Sequence, residues 1–530
     1  MRLASMGLAG LSCLLGLMIS CAPALREVAR PIAERHVAVD TGTLQGVPGP
    51  GETVAFLGIP YAAPPTGAWR WKPPRPAPSW EGVRVAGALG PSCPQPDRAE
   101  KIRKVVVTAL GGDVAAIPPQ GPKGFGPTSE DCLSLNVFAP AFRAAEKRPV
   151  MVWIHGGSFA YERGGEEAAI LARRGVVVVT FNYRLGLLGF LAHPALTKES
   201  PHHASGNYGL LDQIEALRWV QRNIAAFGGD PSRVTIFGHS AGADSVLMLA
   251  ASPEARGLFR GAMAQSSSLG ESQPLAVAEK DGAVIAESLG ASSSDPLYAL
   301  RAAPVERLLA AQSGVEPVTD GWILPKPIPV AIAEGATDGV PLIVGATAKE
   351  WSIFAIHSPP AKDVSGYREL LRKAGESHVN RLLALYPAAR DEDVPAASIR
   401  YLSDWDFVCP ARFVASKRRG RTWFYVASTP VSVGESGARY GAFHGSDVRM
   451  LFHDEMGIPL GELAQRTGDA MQRYWTRFAI SGDPNEPGLA AWPRYGAQHL
   501  DFGDPIQVRG DGDHAGCPVF DEAMRDRLSK

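Results

Sequence analysis

Continuous apolar runs in the middle of the chain predict buried β-strands. Three of them, residues 149–154, 176–180 and 234–237, follow one another closely. A strand that is covered on both faces, as in a parallel sheet, is apolar at successive positions rather than at alternate ones. Residues 53–59 and 341–344 are predicted as further strands because they are also short and apolar.

Segments with helical periodicity alternate with these strands. Apolar side chains recur near helical spacing in residues 210–227, and residues 244–251 form another helix-like stretch. This alternation predicts an α/β fold with a mostly parallel central sheet and helices on both faces. Asp230-Pro231-Ser232 is expected to break the chain before the strand at 234–237. The part after about residue 280 is expected to form large loop and helix insertions rather than a separate domain.

The first 24 residues differ from the rest and predict a signal peptide. Arg2 precedes residues 3–20, which carry no charge. A positive start followed by an apolar stretch is typical of such a leader, and a single membrane-spanning helix is the alternative. Residues 18–21 (MISC) loosely resemble a bacterial lipobox, which would place a lipid anchor on Cys21, whereas residues 22–24 (APA) offer a rival cleavage site. Residues 25–530 are then expected to form one domain.

Composition and charge narrow the classes of function. The chain has 530 residues, of which 45% are hydrophobic and 20% are charged. This balance is typical of globular proteins and argues against a disordered, collagen-like or coiled-coil chain. Lys and Arg number 53 and Asp and Glu 54, so the net charge is −1. Such a chain has no overall field to attract a phosphate backbone, and we expect no nucleic-acid partner.

Cysteine usage agrees with export. Beyond the leader, the chain has four cysteines, Cys93, Cys132, Cys409 and Cys517. In an exported chain an even number suggests disulfides, and buried thiols are the alternative. Two disulfides among four cysteines can be arranged in three ways, which the count leaves open. Since the sequence has no CxxC or Cys/His ligand spacing, a zinc site is not expected.

A candidate nucleophile follows the strand at 234–237. This strand runs directly into Gly238-His239-Ser240-Ala241-Gly242, a GxSxG sequence, and a helix-like segment comes next. Between a strand and a helix this pattern forms a strained turn that exposes the serine oxygen, and its glycines leave room where a Cβ atom would clash. We therefore expect Ser240 to be a nucleophile, with a glycine-rich packing turn as the alternative.

A second glycine run follows the strand at 149–154. The segment His155-Gly156-Gly157-Ser158 comes directly after this strand. Backbone N–H groups in such a run can point at an oxygen atom of a ligand, which is what an oxyanion hole requires. An ordinary glycine turn is the alternative.

Together with other segments, these motifs resemble the type-B carboxylesterases, the carboxylesterase and cholinesterase family of α/β-hydrolases. The further segments are residues 56–62 (FLGIPYA), 130–137 (EDCLSLNV), 181–184 (FNYR) and 227–242 (FGGDPSRVTIFGHSAG). The resemblance covers nearly the whole mature chain. It implies that residues 25–530 form a single carboxylesterase domain with the α/β-hydrolase fold, which hydrolyses carboxylic esters and needs no metal or other cofactor.

The resemblance also implies a Ser-His-Glu triad. Ser240 matches the nucleophile, Glu350 the acid that follows the strand at 341–344, and His444 the histidine in residues 442–447 (AFHGSD). The imidazole would take the serine proton, and the carboxylate would fix its tautomer and stabilise its cation. Without the family context, Glu350 and His444 would be interpreted as ordinary loop residues.

The oxyanion donors implied by the family are the backbone N–H groups of Gly157, Ser158 and Ala241. Ser158 stands where many relatives have glycine. Its N–H group can still donate, but its side chain narrows the space through which a substrate oxygen reaches the oxyanion hole. The family pattern pairs the cysteines as Cys93–Cys132 and Cys409–Cys517. Asp404 matches a family acid that either supports the site or is a structural hydrogen-bond acceptor.

Two departures from the family pattern concern the substrate. His239 stands where many relatives have glutamate, so we expect the site to have lost a preference for cationic substrates, with neutral drift as the alternative. Cholinesterases bind the quaternary ammonium with a tryptophan in the first disulfide loop. Here residues 94–131 contain no Trp or Tyr and one aromatic residue, Phe125, so a choline esterase is not expected.

The sequence thus predicts an exported serine hydrolase of small carboxylic esters, periplasmic or secreted. The main alternative within enzymes is a lipase that acts on long acyl chains. A non-catalytic binding protein of the cholinesterase type is disfavoured because Ser240, Glu350 and His444 are all present. Amide, carbamate and lactone hydrolysis stay open, and so do the physiological ester and the oligomeric state.

Overall fold

Strands and helices alternate along most of the described chain. A computed structural model describes residues 35–49, 51–96, 98–112, 114, 127–140, 147–165, 167–270, 272–291, 295–311, 316–356, 359–432, 434–453 and 458–528. The predicted signal peptide with Cys21, and Phe125 in the first disulfide loop, lie outside these residues. None of the helices within them has the length and apolar character needed to cross a bilayer.

The described strands contribute to three sheets. In chain order the strands are β1 (His36–Val39), β2 (Gly42–Gln45), β3 (Val47–Pro48), β4 (Thr53–Pro60), β5 (Val83–Val85), β6 (Ser134–Pro140), β7 (Arg148–Ile154), β8 (Val177–Phe181), β9 (Gly229–His239), β10 (Gly261–Gln265), β11 (Gln273–Pro274), β12 (Val318–Thr319), β13 (Leu342–Thr347), β14 (Thr422–Ala427), β15 (Gln498–Phe502) and β16 (Gln507–Gly510).

Helices connect and cover these strands. In chain order they are α1 (Arg98–Ala109), α2 (Gly186–Phe190), α3 (Pro194–Glu199), α4 (Tyr208–Asn223), α5 (Ala241–Ala251), α6 (Leu275–Ser288), α7 (Pro296–Ala302), α8 (Val305–Ala311), α9 (Ile328–Ala333), α10 (Trp351–Phe354), α11 (Val364–Arg372), α12 (Val379–Leu385), α13 (Val394–Ser403), α14 (Cys409–Lys417), α15 (Gly434–Tyr440), α16 (Ser446–Phe452), α17 (Glu462–Ser481) and α18 (Cys517–Leu528).

The largest sheet has the strand order β16-β15-β14-β13-β10-β9-β7-β8-β6-β4-β3. Every pair of neighbours from β8 through β7, β9, β10, β13 and β14 to β15 is parallel. The strands at both margins of the sheet are antiparallel to their neighbours. The prediction of a mostly parallel central sheet is confirmed.

The two faces of the sheet belong to two apolar clusters. On β7, Val150, Val152 and Ile154 face the cluster that contains residues of α4 and α5, whereas Met151 and Trp153 face the cluster that contains residues of α17. All five side chains are buried. Helices therefore cover both faces, which explains why the sequence of this strand is apolar at every position rather than at alternate ones.

The strand predicted at 234–237 is longer than expected. The structure begins β9 at Gly229, so Asp230-Pro231-Ser232 lies inside the strand and the predicted break at these residues is wrong. The β7 partner of Gly229 is Arg148 and that of Val234 is Val150, so the extra β9 residues form an irregularity in the pairing. A proline, which has no N–H group to donate, is tolerated at such an irregularity.

Two disulfides join distant parts of the chain. Cys93 is bonded to Cys132 and Cys409 to Cys517, with sequence separations of 39 and 108 residues. These are the pairs that the family resemblance implies. Cys409 begins α14 and Cys517 begins α18, so the second bond fastens the last described helix to the body of the fold.

Replacing both Cys409 and Cys517 by serine should lower the free energy of unfolding by up to about 5 kcal/mol, because the open chain gains loop entropy when it unfolds. Urea unfolding of the oxidised proteins measures this difference. Reduced wild-type protein should lose more than the variant does, because reduction also opens Cys93–Cys132. An unfolding free energy unchanged to within about 1 kcal/mol would show that this cross-link does not stabilise the fold.

Candidate active site

Ser240 lies at a sharp turn between β9 and α5. Its backbone angles are φ 57° and ψ −127°, a region that residues other than glycine rarely adopt. The Ser240 N–H donates to the Gln265 carbonyl oxygen over 2.9 Å. A Cβ atom on Gly242 would lie 2.1 Å from the Ile154 carbonyl oxygen, and one on Gly238 would lie 2.5 Å from the Gly242 carbonyl oxygen. Only glycine at these two positions allows the turn to pack against the end of β7.

Glu350 and His444 are directly hydrogen-bonded. His444 Nδ1 lies 2.5 Å from Glu350 Oε2, and the Glu350 side chain is fully buried. The other carboxylate oxygen, Oε1, accepts from the Thr347 N–H over 2.7 Å and from Ser266 Oγ over 2.6 Å. Because Nδ1 faces a carboxylate, it carries the proton, and the second nitrogen of His444 is left as an acceptor.

Ser240 and His444 meet at the same edge of the sheet. The ring of His239, the residue before Ser240, lies 4.4 Å from the ring of His444. Among the described residues, no hydrogen bond joins the Ser240 hydroxyl to His444.

The glycine run after β7 packs against the Ser240 turn. A Cβ atom on Gly156 would lie 3.2 Å from Ser240 Cβ. Within the described part of the chain, the N–H groups of Gly157, Ser158 and Ala241 donate to no acceptor. Gly157 and Ser158 both have positive φ, 89° and 53°, so the serine keeps a conformation that glycine adopts more readily.

His155 fixes the start of this glycine run. Its ring stacks on Tyr183 at 4.3 Å, and the Tyr183 hydroxyl donates to the His155 carbonyl oxygen over 2.9 Å. Burial lowers the pKa of His155 to about 4. The residue is therefore a neutral packing group beside the glycine run at physiological pH.

Neutral rings surround the imidazole of His444. The rings of Phe354 and Phe407 lie 5.0 and 4.8 Å from it, and His239 covers another side. Burial, followed by the proximity of His444, holds the pKa of His239 well below its ordinary value. His239 Nε2 is enclosed and has no hydrogen-bond partner among the described residues. His239 is therefore an uncharged ring at neutral pH.

Two supporting groups could not be recognised from motifs. Ser266, which holds Glu350, follows β10, a strand that the apolar runs above do not include. Asp447 is buried three residues after His444 and accepts from Tyr425 Oη over 2.7 Å and from Gln265 Nε2 over 3.1 Å. Burial raises the pKa of Asp447. The sequence marks Ser266 only as a residue that follows a short apolar segment, and its place at the same sheet edge as Ser240 follows from the strand order.

The sequence leaves two roles open for Asp404, support of the site or a structural hydrogen-bond acceptor, and its contacts fit the second role. It accepts from Tyr386 Oη over 2.6 Å and lies 3.4 Å from His514 Nδ1. None of its hydrogen bonds within the described chain reaches Glu350 or His444. It lies on the short helical segment Asp404–Val408, whose Phe407 does contact His444.

The geometry described above is accompanied by a family match over most of the chain. The sequence profile of the carboxylesterase family matches residues 33–507. The chain therefore belongs to the carboxylesterase family, and the predictions of an α/β-hydrolase fold and of a carboxylesterase are confirmed.

Characterised relatives are similar over most of their length. Fumonisin B1 esterase of Sphingopyxis macrogoltabida is 35% identical over 497 residues, which cover 89% of this chain and 86% of that protein. Para-nitrobenzyl esterase of Bacillus subtilis is 35% identical over 475 residues, with coverages of 83% and 88%. A solved structure of PNB esterase superposes with a TM-score of 0.78 at 31% identity and covers 91% of this chain and 99% of that chain.

Replacing Gly242 by alanine should lower kcat by about 100-fold, because the added Cβ would meet the backbone carbonyl oxygen of Ile154 and displace the turn. The matched control is Gly510→Ala in β16, where φ is −86° and an added Cβ meets nothing within 4 Å among the described residues. Ester hydrolysis by both purified variants measures the effect. Equal activities would mean that the turn does not need its close packing against β7.

Proposed function

We propose that the protein hydrolyses carboxylic esters through a covalent acyl-enzyme formed on Ser240. The observation that carries this proposal is the buried Glu350–His444 hydrogen bond, which lies beside the turn that holds Ser240. The unused N–H groups of Gly157, Ser158 and Ala241 support it. Nucleophile, base and oxyanion donors are the three parts that acyl transfer requires.

In the first half of the reaction, Ser240 Oγ attacks the ester carbonyl carbon while His444 Nε2 takes the hydroxyl proton. Glu350 stays ionised and stabilises the imidazolium through its hydrogen bond to Nδ1. The carbonyl oxygen becomes an oxyanion, which accepts from the N–H groups of Gly157, Ser158 and Ala241. The intermediate collapses when His444 donates its proton to the leaving alcohol, which leaves the acyl group on Ser240.

In the second half, water replaces the alcohol. His444 takes one proton from the water molecule as its oxygen attacks the acyl carbon, and the same N–H groups bind the second oxyanion. Collapse of this intermediate breaks the bond to Ser240 Oγ, which regains its proton from His444. The products are the carboxylic acid and the enzyme in its starting state.

The preferred substrate is a small neutral ester. The neutral side chains of His239, Phe354 and Phe407 surround the general base. Uncharged aromatic walls favour apolar groups and supply no carboxylate to attract a cation. A series of p-nitrophenyl esters of increasing acyl length tests this preference. A sharp rise in activity at an oil–water interface would instead indicate a lipase.

We also infer that the protein is exported through a signal peptide in residues 1–24. The two disulfides, Cys93–Cys132 and Cys409–Cys517, support this location because such bonds persist in oxidising compartments. Mass spectrometry of the mature N-terminus distinguishes cleavage after residue 24 from a lipid anchor on Cys21.

Replacing Ser240 by alanine should reduce ester hydrolysis by about 10⁴–10⁶-fold, because alanine has no hydroxyl group to form the acyl-enzyme. The matched control is Ser252→Ala, at the other end of α5, whose hydroxyl is buried without a hydrogen-bond partner among the described residues. A fluorophosphonate probe should label the control and wild type but not Ser240→Ala. Undiminished turnover by Ser240→Ala would overturn the proposed function.

Replacing His239 by glutamate should raise kcat/KM for a cationic ester relative to a matched neutral ester by about fivefold. The reason is that a carboxylate near His444 would add ~1 kcal/mol of attraction for a nearby cation. Steady-state kinetics with a choline ester and its uncharged isostere give this ratio. His239→Gln, which adds no charge, should leave the ratio unchanged, and an unchanged ratio for His239→Glu would reject a role of residue 239 in charge selection.

A further inference from the structure

Asp244 is a buried carboxyl group that the proposed mechanism does not use. It lies in the first turn of α5, four residues after Ser240, and 6% of its surface is exposed. Its backbone N–H donates to the Ser240 carbonyl oxygen over 2.9 Å. Burial raises the pKa of Asp244 to about 6. At neutral pH the side chain is therefore a buried anion, which requires hydrogen-bond donors to persist.

The donors to Asp244 come from a single loop, residues 266–270, between β10 and β11. Ser267 Oγ donates to Asp244 Oδ1 over 2.6 Å, and Ser268 Oγ donates to Oδ2 over 3.2 Å. The backbone N–H groups of Ser268 and Gly270 also stabilise the carboxylate. All four donors are uncharged, so Asp244 binds a loop rather than forming an ion pair with a cation.

The same loop has a backbone conformation that needs such support. Ser266 has φ 55° and Leu269 has φ 66°, both in the left-handed region that side chains other than glycine and asparagine rarely adopt. The Leu269 N–H donates to Ser267 Oγ over 3.1 Å, so the hydroxyl that binds Asp244 also closes the turn. A conformation of this kind persists where surrounding contacts hold it in place.

Ser266 connects this loop to the triad. Its hydroxyl donates over 2.6 Å to Glu350 Oε1, and Oε2 of the same carboxylate binds His444. The Ser266 N–H donates to the Gly345 carbonyl oxygen on β13, the strand that precedes Glu350. The direction in which the Glu350 carboxylate points therefore depends on where the loop holds the Ser266 hydroxyl.

We propose that Asp244 is a positioning residue of the triad, because it binds the loop 266–270 to the nucleophile helix and so holds Ser266 against Glu350. The inference rests on the proposed function, since it assumes that Glu350 orients His444. Asp244 touches neither the substrate nor the reacting atoms. It couples the helix that carries the Ser240 turn to the loop that orients the acid.

Asp244→Asn tests the proposal because it keeps the size of the side chain but replaces one acceptor oxygen by an amide group. The amide leaves one of the two serine hydroxyls without its acceptor, so the loop should shift. We expect kcat for a p-nitrophenyl ester to fall by about 10-fold or more, with KM within about twofold, because orientation rather than binding is lost. The midpoint of thermal unfolding at pH 8 should not fall, because the variant no longer buries a charge.

Asp320→Asn is the matched control. Like Asp244, Asp320 is a buried carboxyl group with a raised pKa that is held by uncharged donors. Its donors are the Asn207 side chain and the backbone N–H groups of residues 322 and 324. None of its described hydrogen bonds reaches the loop 266–270 or Glu350. The kcat of the Asp320→Asn variant should therefore equal that of the wild type.

A double-mutant cycle with Ser266→Ala decides whether Asp244 acts through Ser266. If it does, the double variant Asp244→Asn, Ser266→Ala should have the kcat of Ser266→Ala alone, because the last link has already been removed. Multiplicative losses would overturn the proposal, as would an Asp244→Asn variant that folds and retains wild-type kcat. If Asp244→Asn does not fold, Ser267→Ala replaces it in the same cycle with the same two outcomes.

The outcomes also separate this inference from the proposed function. Full activity of Ser240→Ala would overturn both. Wild-type kcat in Asp244→Asn, together with an inactive Ser240→Ala, would overturn only the role of Asp244.

Discussion

The hydrogen-bonded register of four parallel strands, β7, β9, β10 and β13, is the constraint on which the site depends. It sets Ile154 beside Gly238, His239 beside Gln265, and Gln265 beside Gly345. Parallel strands end at the same edge of a sheet, so the residues that follow each strand meet there although they lie far apart in the sequence. The glycine run, the Ser240 turn, Ser266 and Glu350 are the continuations of these four strands in that order. A slip of one residue in the register would turn each of them to the wrong face.

Two buried carboxylates at this edge, Glu350 and Asp447, are held by neutral donors. Glu350 is bound by a hydroxyl, a backbone N–H and an imidazole, and Asp447 by a phenol, an amide and a backbone N–H. His155 and His239 are packed as uncharged rings because burial lowers the pKa of each. In the proposed mechanism, the imidazolium that forms on His444 has Glu350, which is hydrogen-bonded to its Nδ1, as its nearest counter-charge. In a poorly solvated site that single pairing is worth more than it would be in water, which favours a fixed orientation of the Glu350 carboxylate.

The parts of the fold that the sequence predicts are those governed by one local rule. The apolar runs at 149–154 and 176–180 correspond closely to β7 and β8, because strands covered on both faces must be apolar throughout. The start of β9 was missed because a proline is a strong sign of a break, and only the pairing with β7 reveals an irregularity that tolerates it. Ser240 was predicted as a site residue from a motif, but the predictions of Glu350 and His444 needed the family pattern. Ser266, Phe354 and Phe407 have no motif, since their proximity to the site follows from tertiary packing alone.

Backbone strain is concentrated where the chemistry is proposed, and the packing around it explains why it persists. Ser158, Phe159, Ser240, Ser266 and Leu269 all have positive φ, and each of them belongs to one of the loops that meet at the sheet edge. Such conformations are of order 1–3 kcal/mol less favourable each, so the loops would relax if they were held only at their ends. The close approach of Gly242 to Ile154 prevents relaxation at the Ser240 turn. At the Ser266 loop, the hydrogen bonds from Ser267 and Ser268 to Asp244 hold the backbone in place. Asp244 can be replaced without changing the apolar core. This loop is therefore the part of the site where the orientation of Glu350 can be altered while the fold is kept.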